Sequence, residues 1–178
     1  PDTADNLALK AARLLDRRLR YRQGPVHIRI DKAIPVAGGM AGGSADAAAA
    51  LVACDALWGM RAERDHLDII GAAIGSDVPF ALHGGIAMGS GRGEHITPVL
   101  ARGTYHWVFV LSPEGLSTPA VYAECDRLRG DAPVPTPEAS PALMSALRSG
   151  DALALGAALH NDLQEPALSL RPDLGDVL

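Results

Sequence analysis

The sequence has few lysines, few cysteines and no metal-ligand pattern. These scarcities limit the candidates for a catalytic lysine, for disulfides and for a metal site. Of the 16 basic residues only Lys10 and Lys32 are lysines, so a phosphate-binding or catalytic lysine of this chain is one of these two. The cysteines number two, Cys54 and Cys125, which excludes a disulfide-rich scaffold and predicts free thiols. The six histidines are scattered without the spacing of a metal site. We therefore predict no zinc site and no metal-ligating residues.

Charge and hydropathy exclude further classes. The net charge of −5 argues against a general nucleic-acid or membrane surface. No apolar run approaches membrane-spanning length, and no secretory signal is present. The hydrophobic content of 48% in 178 residues is enough for a packed core in one domain or in parts of two. We expect a cytoplasmic protein that binds neither nucleic acid nor membrane.

The most informative stretch is residues 35–51, Pro-Val-Ala-Gly-Gly-Met-Ala-Gly-Gly-Ser-Ala-Asp-Ala-Ala-Ala-Ala-Leu. Residues 26–30 before it alternate in polarity and predict a strand, and the alanine-rich run after it predicts a helix to about Leu57. The four glycines allow the backbone to approach a ligand closely, and Ser44 and Asp46 are natural first-turn residues of the helix. Because a helix N-terminus presents free N–H groups and a positive dipole end, the stretch predicts a phosphate site.

Two common kinds of glycine-rich nucleotide loop do not fit residues 35–51. The stretch is not a Walker A loop, because no Gly-Lys-Ser/Thr occurs, and not a dinucleotide fingerprint, because the Gly-x-Gly-x-x-Gly spacing does not fit. A glycine-rich turn that only lets the helix pack closely on a sheet remains the structural alternative. The helix before this stretch is predicted to run to about Arg20, with Thr3 or Asp5 as its cap.

Later segments add candidate residues with ordinary structural alternatives. Asp77 lies in the turn Gly-Ser-Asp-Val-Pro of residues 75–79, where an aspartate caps a helix or fixes an Asx-turn. Residues 81–94 alternate short apolar pieces with glycines and predict a hairpin region that contains Arg92. Residues 107–111 predict a central strand, and Thr118 followed by proline predicts a helix N-cap with proline at the first helical position.

Together these residues resemble the GHMP kinases. The resemblance rests on Asn-Leu at residues 6–7, Asp-Lys-x-x-Pro at 31–35, the glycine loop, Gly-x-Asp-Val-Pro at 75–79, Gly-Arg-Gly-Glu at 91–94, Thr-Pro at 118–119 and His-Asn-Asp-Leu at 160–163. It implies an α+β GHMP-kinase fold with a ribosomal-protein-S5-like N-terminal layer and a ferredoxin-like C-terminal layer, both incomplete. The implied domains are an ATP-binding domain over residues 1–102 and a C-terminal domain over residues 103–178.

The resemblance also implies roles. Asp77 would be the general base, and Arg92, Thr118 and Tyr122 would contact the acceptor, the tyrosine by stacking on a cytosine. ATP with Mg²⁺ would be bound by Asn6 beside the adenine, by Lys32, and by the loop residues Pro35, Val36, Ala37, Gly38, Gly39, Met40, Ala41, Gly42, Gly43 and Ser44. Without the resemblance, Asn6 is a helix-start residue, Lys32 a surface charge, and Tyr122 an aromatic at a domain boundary.

Within the family, the motifs favour phosphorylation of the 2-hydroxyl of a cytidine diphosphate-linked methylerythritol in isoprenoid biosynthesis. The alternatives are another GHMP kinase, acting on mevalonate, a sugar or homoserine, and a non-catalytic nucleotide-binding remnant. The family's first strand with its catalytic lysine and a second glycine-rich segment are not in this sequence. We therefore expect a piece of a longer kinase that is inactive alone. We also expect a monomer or weak homodimer.

Overall fold

The computed structural model describes residues 5–19, 25–35, 38–112, 114–134 and 136–177. They divide into two compact units. The first unit comprises Pro1–Val36 and Met40–Val99, and the second comprises Ala37–Gly39 and Leu100–Leu178. Among the described residues, no helix combines the length and the apolar character needed to cross a membrane.

The first unit is built from helices and a hairpin. Its elements are α1 (Leu7–Leu19), α2 (Gly42–Trp58), α3 (Arg64–Ile74), α4 (Val78–His83), β1 (Ala87–Ser90) and β2 (His95–Pro98). The helix predicted after the glycine loop is therefore confirmed, as is a hairpin in the glycine-rich region that follows α4. The strands are antiparallel, with Ala87 opposite Pro98 and Ser90 opposite His95.

The core of the first unit is formed mainly by α1 and α2, which meet through small side chains. Ala11 and Leu15 on α1 and Ala47 and Leu51 on α2 are fully buried. Alanines at helical spacing allow two helix backbones to approach closely, while the leucines supply most of the buried apolar area. Cys54 is also buried as a free thiol, and desolvation raises its pKa. The buried side of α1 thus faces α2.

The predicted strand at residues 26–30 is not formed. These residues still alternate, with Val26, Ile28 and Ile30 half-buried against the core and the residues between them exposed. The alternating pattern therefore predicts correctly which side chains of this segment face the core. A strand additionally requires a hydrogen-bonded partner, and the strands within the described residues pair only with each other.

The second unit is helical. Its elements are α5 (Thr118–Arg129), α6 (Pro141–Ser149), α7 (Ala152–Ala158), α8 (Gln164–Leu170) and a 3₁₀ helix (Pro172–Val177). The Ser140 side chain accepts a hydrogen bond from the Leu143 N–H and caps α6, and Asp151 caps α7 through the N–H groups of Leu153 and Ala154. Such caps satisfy N–H groups that have no partner within the helix.

The prediction of a central strand at residues 107–111 is wrong in this structure. Trp107, Val108, Phe109, Val110 and Leu111 are each more than half exposed and belong to no strand. The prediction for Thr118 is wrong by one residue. Ser117 is the N-cap of α5, and Thr118 is its first helical residue.

We predict that Leu51→Ala destabilises the protein by about 2–5 kcal/mol, because it leaves a cavity between α1 and α2 that the helices cannot close. Its neighbour Val52 is 48% exposed and provides the control. Val52→Ala is expected to change the free energy of unfolding by no more than about 0.5 kcal/mol. Urea denaturation followed by circular dichroism measures both, and equal losses would contradict this description of the core.

A second prediction concerns the contact between α5 and α8. The Ser169 hydroxyl donates to the Glu124 carboxylate at 2.5 Å, and the Arg127 guanidinium donates to the same carboxylate at 2.7 Å. Hydrogen bonds from Arg127 and then from Ser169 lower the pKa of Glu124 from 4.5 to about 2. Because the folded-state pKa lies below the unfolded one, this stabilisation is complete above pH 4.5 and disappears as the pH falls towards 2.

Accordingly, Glu124→Gln should lower the melting temperature at neutral pH, and the difference from wild type should vanish near pH 2. Thermal melts across this pH range test it. Glu138→Gln, at an exposed carboxylate, is the matched control. It should leave the dependence of the melting temperature on pH unchanged at acid pH. A Glu124→Gln difference that is constant with pH would show that packing, and not the charge, is responsible.

Candidate active site

The N-terminus of α2 is the centre of the candidate site. Ala41 is the N-cap, and the Ala45 N–H makes the first helical hydrogen bond, to the Ala41 carbonyl at 2.9 Å. The N–H groups of Gly42, Gly43 and Ser44 therefore precede the intrahelical ladder, at the positive end of a 17-residue helix. Ser44 lies in this first turn as predicted. The arrangement is of the kind that binds phosphate.

The chain enters this helix through left-handed backbone. Gly39 has φ of 68° and Ala41 has φ of 49°. Glycine adopts this region freely, whereas an alanine there costs about 1–2 kcal/mol. Strain of this kind persists where the surrounding structure holds it, and it concentrates at ligand-binding loops.

Lys32 lies against the first turns of α2. Its ammonium is 2.5 Å from the Asp46 carboxylate, with 34% of the lysine side chain and 26% of the aspartate side chain exposed. A Cβ atom at Gly42 would lie 3.2 Å from the Lys32 Nζ and 2.8 Å from the Ile34 Cγ2. The missing side chain at Gly42 is thus what allows the segment before the loop to pack on the helix. Lys32 is thus an exposed residue held in an ion pair with α2, and its role at the nucleotide stays a prediction.

The turn that carries Asp77 also reaches α2. A Cβ atom at Gly75 would lie 4.0 Å from the Ser44 hydroxyl, so residues 75–77 adjoin the first turn of that helix. Asp77 is exposed and immediately precedes α4. Its backbone carbonyl accepts from Ala81, but its side chain makes no capping hydrogen bond. A side-chain helix cap, the ordinary structural role of an aspartate in such a turn, is therefore not what the structure shows.

The start of α1 is a fourth segment at this end of the first unit. The Asn6 side-chain oxygen accepts from the Ala8 N–H at 2.9 Å and caps the helix. This replaces the predicted caps, since Asp5 instead pairs with Lys10 and Thr3 lies outside the described residues. A Cβ atom at Gly43 would lie 3.4 Å from the Leu7 Cδ1, which places the beginnings of α1 and α2 side by side.

The remaining predicted ATP-site residues belong to the loop itself. Gly38 and Gly39 are exposed, as is Pro35, and Met40 is half-buried. Val36 and Ala37 lie outside the described residues. The structure therefore gathers Asn6, Lys32, Ser44 and the Asp77 turn around one helix end.

Among the predicted acceptor-side residues, Arg92 lies in the first unit, and no described contact brings it to this helix end. Arg92 lies in the turn of the β1–β2 hairpin, with its guanidinium 3.6 Å from the Glu94 carboxylate and 77% of its side chain exposed. Hydrogen bonds from the backbone N–H groups of Glu94 and then of Arg92 lower the pKa of Glu94. Thr118 and Tyr122 are exposed on α5 in the second unit. Their substrate roles stay predictions.

A cavity of about 210 Å³ opens elsewhere in the first unit, between α3, α4 and β2. His83 Nε2 lies 3.0 Å from the Asp68 carboxylate at its wall. None of the predicted site residues lines this cavity.

Comparison with known proteins shows which class of protein the chain resembles. Residues 6–85, which include every segment of the helix end just described, match the family described as the GHMP kinases N terminal domain. Over these residues the chain is similar to the GHMP kinases. A crystal structure titled 4-(cytidine 5'-diphospho)-2C-methyl-D-erythritol kinase matches 99% of this chain and 61% of its own chain, with a TM-score of 0.68 and 29% sequence identity. The predicted α+β GHMP-kinase fold is confirmed by these matches.

The particular proteins that this chain resembles are of one kind. It is 60% identical over 173 residues to the 4-diphosphocytidyl-2-C-methyl-D-erythritol kinase of Thermobifida fusca, covering 97% of this chain and 55% of the relative. It is 54% identical over 181 residues to the protein of the same name from Clavibacter michiganensis, covering 98% of this chain and 58% of the relative. The chain thus spans little more than half the length of these curated relatives.

Sequence reasoning missed Asp46 as a partner of the site. The local pattern places it only in the first helical turn after the loop. The signal that was available is the pair of opposite charges on the two sides of the glycine loop, 14 residues apart. Nothing in local propensity predicts such a pairing, because it depends on how the preceding segment lies on the helix.

We predict opposite effects of alanine at the two adjacent glycines of α2. Gly42→Ala places a Cβ atom 2.8 Å from Ile34 and should destabilise the protein by about 1–3 kcal/mol through overpacking. Gly43→Ala meets only ordinary contact at 3.4 Å and should be neutral or stabilising, because alanine is the better helix former. Thermal denaturation of both variants compares them. Similar melting temperatures for the two would contradict the close approach at Gly42.

Proposed function

We propose that this chain provides the ATP site and the general base of a small-molecule kinase. The reaction is transfer of the γ-phosphoryl group of ATP to the 2-hydroxyl of 4-diphosphocytidyl-2-C-methyl-D-erythritol. The observation that carries the proposal is the position of the Asp77 turn against the first turn of α2 at Ser44. The turn that carries the exposed Asp77 adjoins the helix end to which we assign phosphate binding, and this supports the proposal. The names of the relatives support the choice of substrate.

The ATP phosphates would lie against the loop of residues 35–44. The N–H groups of Gly42, Gly43 and Ser44 would donate to phosphate oxygens, and the dipole of α2 would favour their negative charge. Lys32 would add a positive charge from the side of α2. Asn6, at the adjacent start of α1, would lie on the adenine side. Phosphoryl transfer depends mostly on positioning and charge neutralisation of this kind.

Asp77 would accept the proton of the attacking hydroxyl. An aspartate can do so only within hydrogen-bond reach of the acceptor alcohol, and its carboxylate must be accessible. Asp77 is exposed at the site and is not occupied by capping α4. The base would thus act as the oxygen–phosphorus bond forms, with ADP as the leaving group.

Use of ATP is implied by the family, and Mg²⁺ would accompany the phosphates. Across the residues that the structure describes, no group of three or more His, Cys, Asp or Glu side chains is placed to hold a metal ion. In kinases Mg²⁺ is usually held largely by phosphate oxygens and water. The Ser44 hydroxyl is the protein group that would reach it. When bound, Mg²⁺ neutralises the phosphate charge.

The acceptor side rests on the resemblance and stays part of the proposal. Arg92 would donate to carbonyl or phosphate oxygens of the cytidine diphosphate moiety. Thr118 and Tyr122 would contact the cytidine, and stacking of a base on an aromatic ring is worth about 1–3 kcal/mol. The ATP-binding and C-terminal domains would extend over residues 1–102 and 103–178. We propose a cytoplasmic monomer or weak homodimer that binds neither nucleic acid nor membrane.

The test is turnover by the whole protein that carries this sequence, with ATP, Mg²⁺ and 4-diphosphocytidyl-2-C-methyl-D-erythritol. We expect ADP release, and we expect Asp77→Asn to lower kcat by about 10²–10⁴-fold with little change in KM for ATP, because the base acts in the transition state. Asp65→Asn, which makes the same charge change in the first turn of α3, is the matched control and should retain activity.

The other outcomes separate the alternatives. Activity that survives in Asp77→Asn would leave the kinase assignment in place and exclude Asp77 as the base. Turnover with mevalonate, homoserine or a sugar instead would keep the family and overturn the cytidyl substrate. ATP binding without turnover of any alcohol would support a nucleotide-binding module.

A further inference from the structure

We propose that Asp46 is a positioning residue that holds the Lys32 ammonium at the phosphate site, an inference that rests on the proposed function. The two groups are 2.5 Å apart, and both side chains are about two-thirds or more buried. Asp46 is not part of the glycine loop and is not expected to contact ATP itself. Its action would be through the lysine.

The first argument is electrostatic. The N-terminus of α2 carries a partial positive charge, which disfavours a cation beside it. Lys32 nevertheless lies there, with its Nζ 3.2 Å from where a Cβ of Gly42 would be. A flexible lysine repelled by the helix end would turn to solvent unless an anion held it. The Asp46 carboxylate is the anion that contacts it.

The second argument is geometric. Residues 42 and 46 are four apart on α2 and so lie on the same face, one turn apart. The Ile34 side chain packs against Gly42, which fixes the segment that carries Lys32 on this face. The lysine side chain then runs along the helix with Asp46 below the first turn. Since an ammonium has three donors, it can keep the carboxylate and still donate to a phosphate.

The third argument concerns charge balance. Without Lys32, the Asp46 carboxylate would stand close to the ATP phosphates and repel them. When Lys32 and Asp46 are paired, their net charge is zero, and the Lys32 ammonium is the member of the pair nearer to Gly42. The pair therefore presents a donor to the phosphate and keeps the acid on the far side. The proposal accordingly predicts that removing the acid weakens ATP binding, although removal also takes away a negative charge.

The experiment is a double-mutant cycle on the whole protein, measured as KM for ATP, KM for the alcohol, kcat and melting temperature. We expect Asp46→Asn to raise KM for ATP about tenfold, the effect of one charge-assisted hydrogen bond, with KM for the alcohol unchanged. In a Lys32→Met background the same Asp46→Asn change should no longer raise KM for ATP, and should lower it by removing the repulsion between the unpaired carboxylate and the phosphates. Asp46→Glu, which keeps the charge, should restore most of the affinity.

The control is Asp55→Asn, which makes the same charge change at the other end of α2. Asp55 accepts a hydrogen bond from the Ala62 N–H, and an asparagine oxygen can accept it as well. This variant should keep the wild-type KM for ATP. A purely structural ion pair at Asp46 would instead lower the melting temperature and affect both substrates, and the glutamate variant would not restore ATP affinity selectively.

Several results would overturn the inference. One is tighter ATP binding in Asp46→Asn, which would make the acid a competitor of the phosphate. Another is the same change in KM with and without Lys32. Calorimetry with a non-hydrolysable ATP analogue separates this inference from the proposed function. Weaker analogue binding by Asp46→Asn in a protein that phosphorylates no alcohol would support the positioning role while overturning the kinase reaction. No binding by the wild type would overturn both.

Discussion

The absence of a side chain at Gly42 is the constraint on which the candidate site depends. Even one methyl group there would come within 2.8 Å of Ile34. Because that space is open, the segment before the loop lies directly on α2, and Lys32 reaches Asp46 along the helix surface. The start of α1 and the Asp77 turn adjoin the same helix end at Gly43 and Gly75, where a Cβ atom would meet only ordinary van der Waals contacts. The close approach that requires glycine is therefore confined to Gly42.

The core of the first unit supports this arrangement. Ala11 of α1 and Ala47 of α2 are fully buried, and helices that meet through alanines lie close together. The N-terminal ends of α1 and α2 are therefore near each other. This proximity does not require a direct bond between Asn6 and the loop. A substitution that separates these helices would move Asn6 away from the loop as well as lower stability. Packing and site geometry are in this sense coupled through α1 and α2.

The sequence was informative where local chemistry decides the structure. The glycine loop followed by an alanine-rich run predicted α2, and glycine and proline around Asp77 predicted its turn. The predictions for residues 26–30 and 107–111 were wrong because an alternating or apolar run specifies which side chains avoid water, whereas a strand needs a partner from elsewhere in the chain. The Lys32–Asp46 pair was missed for a similar reason, since it depends on tertiary packing and not on propensity. The roles of Arg92, Thr118 and Tyr122 came from family resemblance alone.

The exposed run at residues 107–111 has a consequence for handling the chain. It consists of five successive apolar residues, Trp-Val-Phe-Val-Leu, with no charge and no proline. Segments of this composition pair readily with copies of themselves through their unpaired backbone groups, and they initiate β-rich aggregates. A recombinant protein of this sequence would thus tend to precipitate as its concentration rises. A charged replacement such as Val108→Lys, at a side chain that is 91% exposed, is the change best suited to keeping it in solution.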